Sequence, residues 1–160
     1  MKYAEVDSPV GTIDIHRGPS GYPRVEGLAR TSENWSLRLG DRELLAVQGL
    51  AAPGYPARAT AKTGLDAVLC GQPGRLIAQR SLRNSERFVR FSSPEFSIGA
   101  VKQSGRCVVL DSRDTQCASL RHRREWSVSV ETDEVCAFVA LLMAAGLEEV
   151  LASPLLDLLP

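Results

Sequence analysis

Residues 135–147 read VCAFVALLMAAGL, an apolar run that contains no charged residue. The run predicts a helix with no polar face, and a helix of that kind must be buried on every side. The rest of this small chain is therefore expected to be arranged around it. This segment decides the fold class, and it constrains the fold far more than the function.

The beginning of the helix is marked by the residues in front of the apolar run. The Thr132 hydroxyl can cap the first turn, and Asp133 and Glu134 lie where the positive end of the helix dipole favours carboxylates. The sequence therefore predicts that the helix begins next to Thr132.

The end of the helix is predicted from two acids and a proline. Glu148 and Glu149 interrupt the apolar run, and Pro154 cannot continue the helical hydrogen bonds. We expect one long helix over about residues 132–152. Its apolar part is shorter than the roughly 20 residues that a membrane span requires, so no transmembrane segment is predicted.

Length and charge set the broad class of the protein. The 160 residues fit a single domain, and 19 basic residues balance 19 acidic ones. This balance gives no support to a nucleic-acid partner. The acids Glu5 and Asp7 lie where a secretory signal would have its apolar core, which favours a cytoplasmic location.

Upstream of the helix the hydrophobic period changes to two, which is typical of strands. The clearest case is 126–131, where Trp126, Val128 and Val130 share one face. With turn-forming residues between them, the segments of the second half predict an antiparallel meander. The predicted strands are 88–91, 96–101, 106–111, 115–120 and 126–131 in the second half, and 12–16, 24–29, 35–39, 43–47, 58–62 and 66–70 in the first.

Residues 107–147 carry a resemblance to a known group. Their order of strand, turn at 110–112, strand, arginine-rich turn, strand at 126–130, acidic cap and apolar helix resembles the C-terminal part of tubby-like barrels. That group includes the LURP-one-related proteins and the phospholipid scramblases. The resemblance implies a closed antiparallel β-barrel wrapped around a hydrophobic C-terminal helix, and a phospholipid headgroup as a ligand. A closed barrel also removes exposed sheet edges.

The densest basic cluster is the turn at 121–124. The guanidinium groups of Arg121, Arg123 and Arg124 could bind a phosphate or a carboxylate bidentately. The alternative is a solvated hairpin turn. A second basic stretch adds Arg80, Arg83, Arg87 and Arg90, and a headgroup site would require the two stretches to meet on one side of the barrel.

Catalytic and metal sites are weakly indicated. Asp14 and His16 would share one face of a strand, but no placed nucleophile accompanies them, and His122 belongs to the basic turn. The four cysteines have no C-x-x-C spacing, which favours reduced, mostly buried thiols. The sequence predicts no metal and no cofactor.

Three classes of function follow from these patterns. The leading hypothesis is a non-catalytic β-barrel module that binds a lipid headgroup, a small anionic ligand or a protein partner. The second is a small enzyme or ligand carrier with its site at one barrel mouth, lined by His16 or His122. The third is an assembly component whose apolar tail, residues 155–159, completes a homo-oligomer.

Overall fold

The structure is a computed structural model that describes residues 2–19, 33–50, 64–79, 81, 83–122 and 125–151. Within these residues, eleven strands form one antiparallel sheet in which the spatial order equals the order along the chain. The strands are β1 (Lys2–Ser8), β2 (Gly11–Pro19), β3 (Glu33–Leu39), β4 (Arg42–Leu50), β5 (Leu65–Leu69), β6 (Gln72–Gln79), β7 (Phe88–Ser92), β8 (Ser97–Gln103), β9 (Arg106–Asp111), β10 (Gln116–His122) and β11 (Glu125–Val128). Helix α1 (Asp133–Ala145) follows β11, and short 3₁₀ segments cover Asn84–Glu86 and Leu147–Leu151.

This architecture confirms the prediction of a mostly β protein with one C-terminal helix. Every predicted strand that falls on described residues overlaps an observed strand, whereas the predicted strands 24–29 and 58–62 lie outside the described residues. Strands β1 and β6 were not predicted. The meander of the second half therefore extends through the first half as well.

The sheet is strongly curved around α1. The helix contacts β1, β2 and β4 from one half of the sheet and β10 and β11 from the other, and the 3₁₀ segment after it contacts β6, β7 and β8. A flat sheet of eleven strands would be about 48 Å wide, whereas a helix with its side chains is only about 11 Å across. One helix can touch both edge strands only if the sheet bends around it.

The ladders do not close the sheet into the predicted barrel. They run in series from β1 to β11, and within the described residues no ladder joins β11 back to β1. What the chain has is a curved antiparallel sheet with two edges and a helix packed against it.

The core consists of α1 and the inward-facing side chains of the strands. Phe138, Leu141 and Leu142 are at most 1% exposed, as the absence of a polar face predicted. They belong to one continuous apolar cluster that includes Ile13, Leu37 and other strand residues. Burial of this kind is the main stabilising contribution to such a fold.

The predicted start of the helix is confirmed. The Thr132 hydroxyl accepts a hydrogen bond from the Val135 amide at 3.3 Å, and Asp133 and Glu134 occupy the first turn. A cap of this type typically stabilises a helix by about 1 kcal/mol.

The predicted end of the helix was wrong. Helix α1 has 13 residues and ends at Ala145, because Gly146 adopts a left-handed conformation with φ 68° and donates its backbone N–H to the Leu142 carbonyl. Glycine is the usual residue at this position, since it has no Cβ to clash. The chain continues as the 3₁₀ segment rather than as one long helix to residue 152. No helix in the described part of the chain has the length and hydropathy needed to cross a membrane.

The end of the 3₁₀ segment is held by a buried arginine. Arg87 is 7% exposed, and its guanidinium donates to the Leu151 carbonyl at 3.1 Å and to the Ser81 carbonyl at 2.6 Å. Buried carbonyl groups without donors would be costly, and Arg87 satisfies two of them. Its role is therefore structural, which matters for the predicted anion site.

Candidate functional site

The two edge strands of the sheet border a cleft over the helix. We call it the seam cleft, and its volume is about 250 Å³. One wall is the end of β1 with the turn after it, the other is β11, and the floor is α1. Its lining residues are Val6, Asp7, Ser8, Pro9, Glu125, Trp126, Val128, Cys136, Val139 and Met143.

The inner surface of the seam cleft is apolar for reasons of local structure. Cys136, Val139 and Met143 are spaced by three and four residues, so they form one stripe along α1. Trp126 and Val128 are two apart on β11 and therefore point to the same side, as the sequence predicted. The floor of the cleft is continuous with the core, since Cys136 and Val139 are at most 4% exposed and only Met143 of the three is partly exposed.

Both walls of the cleft are open edges of the sheet. Strand β1 is paired only with β2, and β11 only with β10, within the described residues. An edge strand presents a row of backbone N–H and C=O groups to any chain that can pair with it. Two such rows face the same apolar cleft.

Polar groups in the cleft are few. The Trp126 indole nitrogen is buried and has no hydrogen-bond partner in the described structure. At the rims, Asp7 and Glu125 are exposed, and neither forms an ion pair in this part of the chain. The Asp7 carboxylate accepts one hydrogen bond, from the Thr12 hydroxyl at 3.0 Å. The described lining of the cleft therefore combines an apolar floor with one carboxylate at each rim.

Burial raises the pKa of three of the four cysteine thiols. Burial raises the pKa of Cys136, and a hydrogen bond with Ser8 opposes this only in part. Burial, with the nearby Glu134 and Asp133 carboxylates, raises the pKa of Cys70 to about 11, and burial also raises the pKa of Cys117. A neutral thiol is a poor nucleophile, so these three side chains are suited to packing rather than catalysis.

A second, larger cleft of about 450 Å³ lies between the β7–β8 turn, the β9–β10 turn and the beginning of α1. Its charged lining residues are Glu95, Asp111, Arg113 and Glu134. One oxygen of Asp111 already accepts hydrogen bonds from the amides of Arg113 and Thr115, at 2.8 and 2.9 Å. Since that carboxylate holds the turn, we regard the smaller seam cleft, with its unpaired edges, as the better candidate.

The predicted anion site is only partly described. Arg121 lies near the end of β10 and is exposed, whereas Arg123 and Arg124 lie outside the described residues. Strand β10 is three strand spacings from β7, about 14 Å along the sheet. Arg121 in β10 and Arg90 in β7 thus lie on strands that share no ladder.

The described arginines of the second basic stretch each have a contact within the protein. Arg87 is buried against backbone carbonyls, and Arg83 lies 3.8 Å from the Glu86 carboxylate. The Arg90 guanidinium lies 4.4 Å above the Phe88 ring, and Arg80 lies outside the described residues. Of the described arginines in this stretch, Arg87 is buried, whereas Arg83 and Arg90 stay exposed.

In β2 the candidate acid, Asp14, contacts a lysine rather than the candidate base, His16. Asp14 and His16 lie on the same face of the strand, as predicted, but an oxygen of Asp14 lies 3.2 Å from the Lys2 ammonium group. His122 ends β10, and its side chain is outside the described part. Among the described residues, no group of three or more metal-ligating side chains comes together.

Comparison with protein-family models, with curated proteins and with solved structures found no match. The likeness to tubby-like barrels therefore stays an expectation from the sequence. Any argument on function has to start from the geometry of the described residues.

The sequence did not predict the seam cleft. A signal for its first wall exists, because Ala4, Val6 and Ser8 alternate with exposed residues in β1. That alternation is short and contains two small side chains. The other wall, β11, was predicted, but the proximity of β1 and β11 follows only from the curvature of the sheet.

Proposed function

We propose that this protein is a non-catalytic binding module and that the seam cleft binds a segment of a protein partner. The observation that carries the proposal is that β1 and β11, which have no second ladder within the described residues, border one cleft over α1. Strand addition to an exposed edge is a general mode of peptide recognition, with affinity from backbone hydrogen bonds and specificity from alternate side chains. Here two edges are available to one segment.

Under this proposal, the closed barrel predicted from the sequence is formed when the partner binds. A segment that pairs with β1 and with β11 would join the two edges and close the sheet around α1. Closure removes both edges, which otherwise favour aggregation. The partner's segment would thus complete the architecture as well as occupy the cleft.

The proposal is tested with a displayed library of random 12-residue peptides selected on the immobilised protein. Selected peptides are expected to bind the wild-type protein and to lose at least tenfold in affinity on Met143→Lys, because the lysine places a charge on the apolar floor. Isothermal titration calorimetry measures the affinities. Amide chemical shifts in solution should change in residues 2–9 and 125–130.

Val68→Lys is the matched control, since Val68 is a 37% exposed strand residue that does not line the seam cleft. It should leave the affinity within twofold. Failure to select any peptide, or selected peptides whose shift changes fall elsewhere, would contradict the proposal. The shift mapping uses the wild-type protein and does not depend on the folding of a variant.

A second candidate function is anion binding at the basic turn. The observation in its favour is Arg121, which is exposed and makes no ion pair in the described part of the chain. Arg121, Arg123 and Arg124 would bind a phosphate group or an anionic headgroup as guanidinium forks. The tail at 155–159, which the oligomer hypothesis requires, lies outside the described residues.

Charge reversal tests this second candidate. Exchange of Arg121, Arg123 and Arg124 for glutamate should abolish sedimentation with vesicles that contain phosphatidylserine and should abolish binding of inorganic phosphate. Arg113→Glu, in the turn between β9 and β10, is the control and should change neither. Equal vesicle binding by the triple variant and the wild type would exclude the basic turn as the site.

A further inference from the structure

We infer that the seam cleft takes up a basic extended strand that runs antiparallel to β1 and β11 at once. This inference rests on the proposed function and specifies the direction, the side-chain pattern and the charge of the bound segment. Each of the three follows from a different observation.

The direction follows from the number of strands. Each of the ten ladders in the described residues is antiparallel, so odd-numbered strands share one direction. β1 and β11 therefore run the same way, and they could meet directly only as a parallel pair in an otherwise antiparallel sheet. One additional strand of opposite direction makes every ladder antiparallel, which is the more stable pairing per residue.

The hydrogen-bond pattern follows from that position. In an antiparallel sheet, successive residues of a central strand direct their N–H groups alternately to the two neighbours. A strand in the seam would therefore bond to β1 through one set of residues and to β11 through the other. With four residues in β11 and seven in β1, about five residues of the segment are expected to pair.

The side-chain pattern follows from the floor of the cleft. Alternate side chains of the segment would point at the floor, where Met143 is the partly exposed side chain and only apolar groups avoid a desolvation cost. The buried indole N–H of Trp126 adds a donor on the same side. The intervening side chains would face solvent on the outside of the sheet.

The charge follows from the rims. Asp7 lies near the end of β1 and Glu125 at the start of β11, so the two carboxylates mark opposite ends of the seam. An antiparallel segment would place its first outward residue near Asp7 and its last near Glu125. Basic residues at both positions complement these charges across the strands.

The test uses the synthetic peptide KVTVTVK, blocked at both ends, which has lysine at the two outer positions and valine on one face. Its affinity for the wild-type protein is measured by calorimetry. The charge-reversed peptide EVTVTVE is expected to bind roughly tenfold more weakly at low salt, and added salt should reduce this difference. Glu125→Lys should reverse part of the preference, and because Glu125 is exposed, this variant is expected to keep the fold.

A single N-methyl group on the peptide backbone distinguishes a strand that pairs with both β1 and β11 from a strand that pairs with only one of them. Methylation at the third or at the fourth residue of the peptide removes donors that point to opposite sides. Each should weaken binding, by roughly two- to tenfold. If only one of the two weakens it, the strand pairs with one edge and the inference is wrong.

Two further results would overturn the inference. In the free protein, the backbone amides of β1 and β11 that point into the seam should exchange with solvent. Full protection of these amides from hydrogen exchange would mean that the position between the two strands is already filled. Binding of library-selected peptides in the seam without a preference for KVTVTVK over EVTVTVE would reject the charge assignment and leave the proposed function standing. If neither KVTVTVK nor any selected peptide binds, both this inference and the proposed function are wrong.

Discussion

Phe138→Ala is expected to lower the free energy of unfolding by about 3–5 kcal/mol, the range measured for large buried aromatic residues that are truncated in a packed core. Phe138 is 1% exposed and lies in the middle of α1, where the curved sheet surrounds it. The loss combines the transfer free energy of the ring with the cost of the cavity left behind. Urea denaturation followed by circular dichroism measures it, provided that the m-value stays constant.

Phe88→Ala is the matched control for this prediction. Phe88 is half-buried at the start of β7, and the Arg90 guanidinium lies above its ring. Its loss removes a partly solvated contact and one cation–π interaction, so about 1 kcal/mol is expected. Equal effects of the two substitutions would show that α1 is not the centre of the core.

The helix was predictable because its evidence is local. An apolar run with Thr132 in front of it is sufficient to predict a buried, capped helix, and both features are present. Its length was overestimated because the prediction relied on Pro154 and overlooked Gly146. A left-handed glycine ends a helix through its own backbone geometry, which no hydrophobic pattern records.

The candidate site was less predictable, since it depends on the whole sheet. The sequence indicated basic side chains, because a cluster such as 121–124 is contiguous along the chain. A cleft between β1 and β11 is formed by residues more than a hundred positions apart. Their approach depends on the accumulated curvature of ten ladders, and single-strand patterns contain no information about it.

Strand β6 shows how a local signal can mislead. Gln72, Pro73 and Gly74 are typical of a loop, and the sequence analysis did not predict a strand there. In the structure they begin β6, with Pro73 opposite Val68 and Gly74 opposite Ala67. Proline is tolerated at the beginning of a strand, and glycine often marks a close approach of two backbones.

Because of that close approach, we expect Gly74 to be the strand position that is most sensitive to substitution. A Cβ on Gly74 would overlap the Ser92 carbonyl oxygen of β7 and would lie 2.7 Å from Phe91 Cζ. Backbone atoms cannot rotate away as a flexible side chain can. Gly74→Ala is therefore expected to cost about 3 kcal/mol of unfolding free energy by separating β6 from β7. Thermal unfolding by calorimetry measures the loss.

Gly18→Ala distinguishes this steric effect from a general intolerance of alanine in the sheet. Gly18 is also a strand glycine, in β2, but no atom of the described residues lies within 4 Å of the Cβ that a substitution would add there. Alanine reduces the freedom of the unfolded chain, so this variant should be as stable as the wild type or up to about 1 kcal/mol more stable. Similar losses for both variants would mean that backbone flexibility, rather than contact with Ser92, determines the need for Gly74.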